Sequence, residues 1–196
     1  MALTDFELID KVKQGSDSAF EELVYRYDKS VLSIALKYAN DTDDAKDIYQ
    51  EVFIRVFRGL KKFEMRSEFS TWLFRITTNV CLTYKSRKKN HLSLSLSNRN
   101  ESGNDEGQIE LRDESSNLKE IIEFSDLGDF VNNAVESLSS KQKMAFVLKH
   151  YQGYKIREIA QMMNCKEGTI KKYLFDAIRN LRKKLKPVYD TNFKTV

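Results

Sequence analysis

The sequence is short of the residues that break helices and of residues that form cross-links. Among 196 residues there are one proline, Pro187, seven glycines and two cysteines. This scarcity disfavours all-β folds and α/β folds with glycine-rich loops, and it favours helices. Cys81 and Cys165 occupy apolar periodic positions far apart in the chain, so we expect two reduced, buried thiols rather than a disulfide.

Long apolar runs are also lacking. No stretch approaches the roughly 18 residues that a membrane span needs. The first residues, MALTDFELIDKV, have an acidic amphipathic pattern and not the basic start and apolar core of a signal peptide. The sequence therefore predicts a cytoplasmic protein that does not insert into the membrane by itself.

Signatures of catalysis are missing as well. The sequence has no P-loop, no nucleophile elbow and no cluster of metal ligands. Its two histidines, His91 and His150, have no clustered carboxylate or cysteine neighbours in the sequence. We therefore expect no enzyme activity, no cofactor and no metal.

Charged residues are abundant and unevenly distributed along the chain. The net charge of +4 divides into +2 for residues 1–90, −7 for residues 91–129 and +9 for residues 130–196. A basic C-terminal unit after an acidic connector indicates a nucleic-acid partner for that unit.

The order of these segments predicts an all-α protein with two small helical domains and a flexible acidic connection. We expect a helical bundle over residues 1–90, a flexible linker over 91–126, a helix-turn-helix domain over 127–190 and a tail over 191–196. The linker is polar and has little apolar surface with which to order itself, although its LSLSLS alternation is typical of a short strand.

One amphipathic helix in the first domain carries an unusual exposed face. In DAKDIYQEVFIRVFRGLKKF, the apolar stripe at helical spacing comprises Ala45, Ile48, Tyr49, Val52, Phe53, Val56, Phe57 and Leu60. The opposite face comprises Asp44, Asp47, Gln50, Glu51 and Arg58, with the apolar Ile54 among them. An apolar residue within a carboxylate-rich face indicates a docking surface, and a merely solvated face is the alternative.

The second domain ends in two helices joined by a tight turn. The first is expected to bury Ile156, Ile159, Ala160 and Met163. The turn is predicted at 164–166, and the second helix is expected to bury Ile170, Leu174, Ala177, Ile178, Leu181 and Leu185. This is the pattern of a helix-turn-helix. The exposed face of the second helix carries Lys171, Lys172, Phe175, Asp176, Arg179, Arg182 and Lys183, types that suit phosphates, guanine edges and a thymine methyl.

Taken together, these segments resemble bacterial sigma factors of the extracytoplasmic-function (ECF) type, in the sigma-70 family. The stretches that carry the resemblance are AFEELVYRY, DAKDIYQEVFIRVFRGLKKF, FSTWLFRITTN, LSSKQKMAFVLKHYQGYKIREIAQMM and EGTIKKYLFDAIRNLRKKL. The resemblance implies a protein that binds core RNA polymerase through its largest subunits and directs promoter recognition, strand opening and transcription initiation. It also implies an anti-sigma partner.

The resemblance assigns roles to three groups of residues. The polymerase-binding surface would comprise Asp44, Asp47, Gln50, Glu51 and Ile54. Binding of the melted minus-ten element and the duplex next to it would use Phe63, Arg66, Phe69, Trp72, Arg75, Asn79, Lys85, Arg87 and Lys88. The alternative role for Trp72 is burial in the core, which its helical spacing with Ile76 and Val80 favours. The minus-thirty-five element would be read by Thr169, Lys171, Lys172, Phe175, Asp176 and Arg179.

The last helix departs from the family pattern at two positions. Where the family has arginines, this chain has Tyr173 and Asp176. An outward carboxylate at Asp176 would repel phosphate, although it could accept a hydrogen bond from a cytosine amino group. An unusual promoter specificity, or a separate DNA-targeting protein that recruits the chain, would follow from this change.

Other functions remain as alternatives. A helix-turn-helix repressor or activator would need neither the acidic face nor FSTWLFRITTN. An adaptor with a sigma-like fold would bind polymerase and not promoters.

Overall fold

The computed structural model describes residues 3–39, 41–99 and 124–193. The helices found there are α1 (Asp5–Lys13), α2 (Asp17–Tyr38), α3 (Thr42–Leu60), α4 (Phe69–Arg99), α5 (Phe124–Glu136), α6 (Ser140–Phe146), α7 (Ile156–Met162) and α8 (Glu167–Phe193). A single π-helical turn, Val147–Tyr151, follows α6 directly. These three ranges contain no β-strand, and the predicted all-α architecture is confirmed.

Polar side chains cap the starts of α3 and α6. The Asp41 side chain accepts a hydrogen bond from the Asp44 amide at 2.7 Å and begins α3. Ser139 and Gln142 bond reciprocally to each other's backbone amides and begin α6. Each bond satisfies a backbone donor that the first helical turn leaves without a partner, which is why these polar residues fix the start of a helix.

Helices α1 to α4 form the first domain around the apolar stripe of α3. Of the eight stripe positions, those fully buried are Ala45, Ile48, Val52, Val56 and Leu60. Tyr49 and Phe53 are half-buried, and their rings contact each other edge to face. Phe57 differs from the expectation, since it is exposed, although its ring has an edge contact with that of Phe20. The periodicity predicts the face of the helix, but the width of the buried stripe depends on how far α2 reaches across it.

Helices α5 to α8 form the second domain, and α7 and α8 are the predicted helix-turn-helix. Between them Asn164 takes a left-handed backbone conformation with φ 49°, which asparagine tolerates better than most residues. The side chains of Ile170, Leu174, Ala177 and Leu181 are buried, as the spacing predicts, and Ile178 and Leu185 are half-buried.

The two domains share one continuous apolar core. It runs from Ile9, Ile34 and Leu73 in the first domain to Met144 and Ile170 in the second. The sequence indicated two units and a connection, but it gave no sign that the units pack against each other. In the structure α4 packs against α6 and α7, and α2 packs against the π-helical turn.

Polar contacts cross the same boundary. The ammonium group of Lys143, which is fully buried, donates to the backbone carbonyl of Tyr38 at 2.6 Å. The hydroxyl of Thr78 donates to the carbonyl of Met162 at 2.8 Å. Gln152 immediately follows the π-helical turn and donates through Nε2 to the Ser33 hydroxyl at 2.9 Å. These bonds fix the relative placement of the domains, because apolar packing alone has little directional preference.

Two helices extend beyond the predicted domain boundaries. Helix α4 continues past residue 90 to Arg99, so the LSLSLS stretch is helical and not a strand. No proline or glycine lies between Tyr84 and Arg99 to stop the helix, and an alternating pattern of serine and leucine is compatible with either structure over so short a length. Helix α8 reaches Phe193, three residues into the expected tail. The central part of the predicted linker, residues 100–123, lies outside the described residues.

Both cysteines are free in the structure, as expected. Cys81 is buried and Cys165 half-buried. Burial raises the pKa of the Cys81 thiol to about 12 and also raises that of Cys165. Among the helices of the described ranges, none has the length and apolar character needed to cross a membrane.

Candidate protein and nucleic-acid interfaces

The exposed face of α3 presents carboxylates around an apolar residue, as the sequence predicts. Asp47 and Gln50 are exposed, and Ile54 is 44% exposed. Asp44 and Glu51 are half-buried. Glu51 accepts a hydrogen bond from Arg55 at 2.7 Å, one turn further along the helix. The face can therefore bind an apolar side chain at Ile54 and cationic side chains around it.

A tyrosine of α4 lies against this acidic face. The Tyr84 hydroxyl is 2.9 Å from Asp44 Oδ1 and 3.2 Å from Asp47 Oδ2. Its ring packs against the core. Burial raises the pKa of Tyr84, and the two carboxylates raise it further. The hydroxyl therefore stays protonated and acts as a donor to the face.

A groove of about 450 Å³ lies between residues 61–68 and the first turns of α4. The residues that line it are Lys62, Phe63, Glu64, Arg66, Ser67, Trp72, Arg75, Ile76 and Asn79. Arg66, Arg75 and Asn79, all predicted to bind DNA, are exposed here and are brought together by the fold. Arg66 pairs with Glu64 at 2.7 Å. Cationic and amide groups beside an aromatic wall are the features that a single strand with an unstacked base requires.

Trp72 forms that wall and also packs against the core. It is half-buried, and its ring lies 4.8 Å from that of Phe63. It fits closely over Gly59, where an added Cβ would lie 2.9 Å from the indole. The two roles considered for Trp72, burial and a place in the groove, are thus compatible.

Phe63 and Phe69 are placed differently from the prediction. Their exposed fractions are 6% and 2%, and both belong to the apolar core. Phe63 and Phe69 contact each other edge to face and both contact Trp72. In this conformation neither ring can stack on a base. Both support the groove from beneath, because the side chains of Phe63 in the loop and of Phe69 at the start of α4 point into the core.

A lysine from α1 holds the groove loop. Lys13 Nζ donates to the backbone carbonyl of Phe63 at 2.8 Å. Two residues later Met65 has a left-handed backbone, φ 55°, while its side chain packs against the core. A non-glycine residue in that conformation is strained, so the surrounding contacts must hold the turn.

The basic run that follows the groove extends along α4. Arg87 is exposed, as a phosphate contact requires. Lys85 and Lys88 lie on the same helix, and their side chains are outside the described part of the structure.

The outward face of α8 presents most of the residues predicted to read duplex DNA. Lys171, Lys172 and Arg179 are exposed, and Phe175 is 66% exposed. Thr169 is half-buried near the start of the helix. The guanidinium of Arg179 lies 6.0 Å from the centre of the Phe175 ring. This face combines cations with an aromatic edge, which suits a DNA groove.

Asp176 differs from the expectation of an outward carboxylate. Its side chain is only 20% exposed, and it forms an ion pair with Arg179, whose Nη2 lies 3.2 Å from Asp176 Oδ1, one turn along α8. The pair keeps Arg179 on the helix surface and neutralises part of the cationic face. The sequence spacing of three residues permits this pair, but the degree of burial comes from the packing of α8.

Tyr84 and Lys13 were not among the predicted site residues. Their partners lie 37 to 50 positions away in the chain. Neither belongs to a local motif that marks such a contact, so only the packing of α1 and α4 against the rest of the domain reveals them.

The chain matches two family models in the order of its two domains. Residues 23–91 match Sigma-70 region 2, and residues 131–181 match Sigma-70, region 4. The first range contains the acidic face and the groove, and the second contains the helix-turn-helix.

Full-length relatives share this order. The ECF RNA polymerase sigma-E factor of Escherichia coli strain K12 is 33% identical over 186 residues, covering 95% of this chain and 96% of the relative. The sigma-E factor of Haemophilus influenzae is 30% identical over 190 residues, covering 95% and 97%.

Solved structures share the fold. CnrH in complex with the cytosolic domain of CnrY superimposes with a TM-score of 0.63 at 20% identity, covering 93% of this chain and 97% of that one. The sigma factor RpoE in complex with the anti-sigma factor NepR from Bartonella quintana gives 0.59 at 21% identity, covering 85% and 96%.

Two helical domains that match Sigma-70 region 2 and Sigma-70, region 4, in this order, define a promoter-recognition subunit of the sigma-70 class. The identity over nearly the full chain is more specific. This chain belongs to the ECF sigma factors, which bind core RNA polymerase and direct transcription initiation at promoters.

Proposed function

We propose that the acidic face of α3 is the surface through which this sigma factor binds the largest subunits of core polymerase. The observation that carries this assignment is Ile54, which is 44% exposed among Asp47, Gln50 and Glu51. An exposed branched aliphatic side chain within a ring of polar groups is typical of the centre of a protein interface. The carboxylates around it would pair with arginines of the partner.

The experiment is competition for core polymerase between the full chain and a labelled reference sigma factor. Reversal of Asp47 and Glu51 to lysine should weaken binding by several kcal/mol, since each reversal replaces an attraction by a repulsion. The matched control reverses Asp10 and Glu21, which are exposed carboxylates on α1 and α2. Equal affinity of the Asp47 and Glu51 variant and its control would contradict the assignment.

The groove beside α4 is proposed to hold the melted minus-ten strand. Arg66, Arg75 and Asn79 would contact the strand, with Trp72 as the wall on which a base rests. Arg87, Lys85 and Lys88 would follow the backbone of the adjoining duplex. Arg75→Ala should then weaken open-complex formation on a supercoiled promoter pool with polymerase affinity unchanged.

The second domain is proposed to bind the minus-thirty-five duplex through α8. Lys171, Lys172 and Phe175 supply the contacts, while the Asp176–Arg179 pair reduces the positive charge available. This pair favours a weak contribution from this domain. The second candidate mode of action is therefore recruitment of this chain to promoters by a separate DNA-binding protein.

An anti-sigma partner and a cytoplasmic location are part of the same proposal. The structural neighbours CnrH and RpoE are found with CnrY and with the anti-sigma factor NepR. A comparable regulator for this chain would have to compete with polymerase for the first domain. Pull-down of the full chain with and without core polymerase would test that competition.

A further inference from the structure

The hydroxyl group of Tyr84 links the acidic face to α4. Tyr84 reaches across from α4 and places its oxygen between Asp44 and Asp47, at 2.9 Å and 3.2 Å. The two carboxylates are three residues apart on α3, so they lie on the same side of the helix and repel each other. The hydroxyl has one proton, which it shares between two acceptors.

The ring of Tyr84 is partly buried and packs against the core. A tyrosine has only two side-chain torsions, so a packed ring gives its hydroxyl a defined position. An exposed aspartate on a helix has no such restraint by itself. A hydrogen bond from a fixed donor therefore selects one orientation of the Asp47 carboxylate.

The bond does not consume the capacity of Asp47 to bind a partner. An ionised carboxylate offers about four acceptor positions. Tyr84 occupies one, on Oδ2, and Asp47 remains exposed to solvent. An arginine arriving from outside would find the other positions available.

We propose that Tyr84 is a positioning residue for polymerase binding, which holds the carboxylate of Asp47 in the orientation that an arginine of the polymerase meets. The inference rests on the proposed role of the α3 face. Orienting the side chain before binding removes part of the entropy cost of association, so loss of the hydroxyl should lower affinity even though Tyr84 does not touch the partner.

The test is a double-mutant cycle on the full chain, read as the dissociation constant for core polymerase. The proteins are the wild type, Tyr84→Phe, Asp47→Ala and the double variant. Asp47→Ala should weaken binding by about tenfold or more, and Tyr84→Phe by about threefold to tenfold, as expected for one hydrogen bond acting through a charged partner. The double variant should bind no more weakly than Asp47→Ala alone.

The matched control is Tyr25→Phe, which removes a hydroxyl from a tyrosine that is 74% exposed on α2. It should leave affinity unchanged. Unfolding of each variant in denaturant shows whether the protein remains folded. In the double-mutant cycle, a purely structural role of Tyr84 would weaken binding equally with and without Asp47.

The possible results separate a failure of the proposed interface from a failure of the positioning role of Tyr84. If Asp47→Ala leaves the affinity unchanged, the α3 face does not bind polymerase there, and the proposed interface and this inference both fail. If Asp47→Ala weakens binding but Tyr84→Phe does not, or if Tyr84→Phe has its full effect in the Asp47→Ala background, the interface stands and the positioning role is overturned.

Discussion

Lys143 of α6 donates a hydrogen bond to the backbone carbonyl of Tyr38 at the end of α2, 105 positions away in the chain. The same ammonium group contacts Glu136 of α5. The last carbonyls of a helix carry partial negative charge and lack intrahelical partners, so a buried cation is well placed there. The contact therefore joins the end of one domain's helix to the core of the other.

Replacing Lys143 by methionine should loosen the arrangement of the domains. The variant retains the length of the side chain but removes the donor to the Tyr38 carbonyl and one contact of Glu136, so the free energy of unfolding should fall by about 2 kcal/mol. Small-angle X-ray scattering should show a larger radius of gyration. Lys141→Met, an exposed position on the same helix, is the control. An unchanged radius would show that apolar packing alone fixes the domains.

Two neighbouring threonines provide a matched test of the same boundary. Thr78 donates to Met162 of α7 at 2.8 Å, whereas Thr77 donates to Leu73 within its own helix at 3.0 Å. Both are fully buried. Thr78→Val should lower the free energy of unfolding by about 1–3 kcal/mol, because a buried carbonyl loses its donor across the interface. Thr77→Val should lower the free energy of unfolding by clearly less. Equal losses in denaturant titrations would contradict the assigned role of Thr78.

Loss of the Lys13 contact should loosen the groove loop. In Lys13→Met the Phe63 carbonyl, two residues before the strained turn at Met65, loses a charged donor at 2.8 Å. We expect faster amide hydrogen exchange over residues 61–68, with the core of α2 unaffected. Lys11→Met on the same helix is the control. Exchange rates that match the wild type would mean that the aromatic cluster alone holds the loop.

Asp176→Arg should raise the general affinity of the chain for duplex DNA. The change removes the carboxylate that pairs with Arg179 and adds a cation to the same face. The dependence of binding on salt should become steeper, since each further phosphate contact releases counterions. Titrations of promoter and scrambled duplexes at two salt concentrations measure both effects, with Glu21→Arg as the charge-matched control. A loss of preference at one base pair with similar affinity would instead indicate that Asp176 accepts from a cytosine.

The two thiols should differ in reactivity. Burial raises the pKa of Cys81 to about 12 and raises that of Cys165, which is only half-buried. Alkylation requires the thiolate and access to it, so at pH 8 Cys165 should react with iodoacetamide faster than Cys81. Cys81 should react at the rate of unfolding. The pKa of the Cys81 thiol is higher in the folded protein than in the unfolded chain, where it is about 8.5. As the pH rises above that value, this thiol therefore lowers the free energy of unfolding. Mass spectrometry of timed samples measures both alkylation rates, and a faster reaction at Cys81 than at Cys165 would contradict the prediction.

Much of the first domain and of the helix-turn-helix was predictable from the sequence. The spacing of Ile48, Val52 and Val56 identified the buried side of α3, and the spacing of Ile170, Leu174 and Ala177 identified that of α8. These are local signals, because helical periodicity relates residues three or four positions apart. The exposed position of Ile54 followed from the same periodicity.

Contacts between distant segments could not be predicted in this way. Phe63 and Phe69 have the composition of a stacking surface, yet both are buried, because Trp72 of α4 packs against Phe63 and Tyr27 of α2 packs against Phe69. Asp176 was expected outside and is mostly covered. In each case the composition fits both positions, and the depth of burial depends on neighbours that the local pattern does not contain.

The sequence by itself determined the helical class, the order of the two domains and the residues of the acidic face, since these depend on local periodicity and on motifs within single helices. Only the tertiary structure decided that the domains share a core, that Lys143 is buried at the end of α2 and that Tyr84 reaches Asp47. The physical reason is that hydrogen bonds and close packing act over a few ångströms in space. The fold alone decides which distant residues come that close.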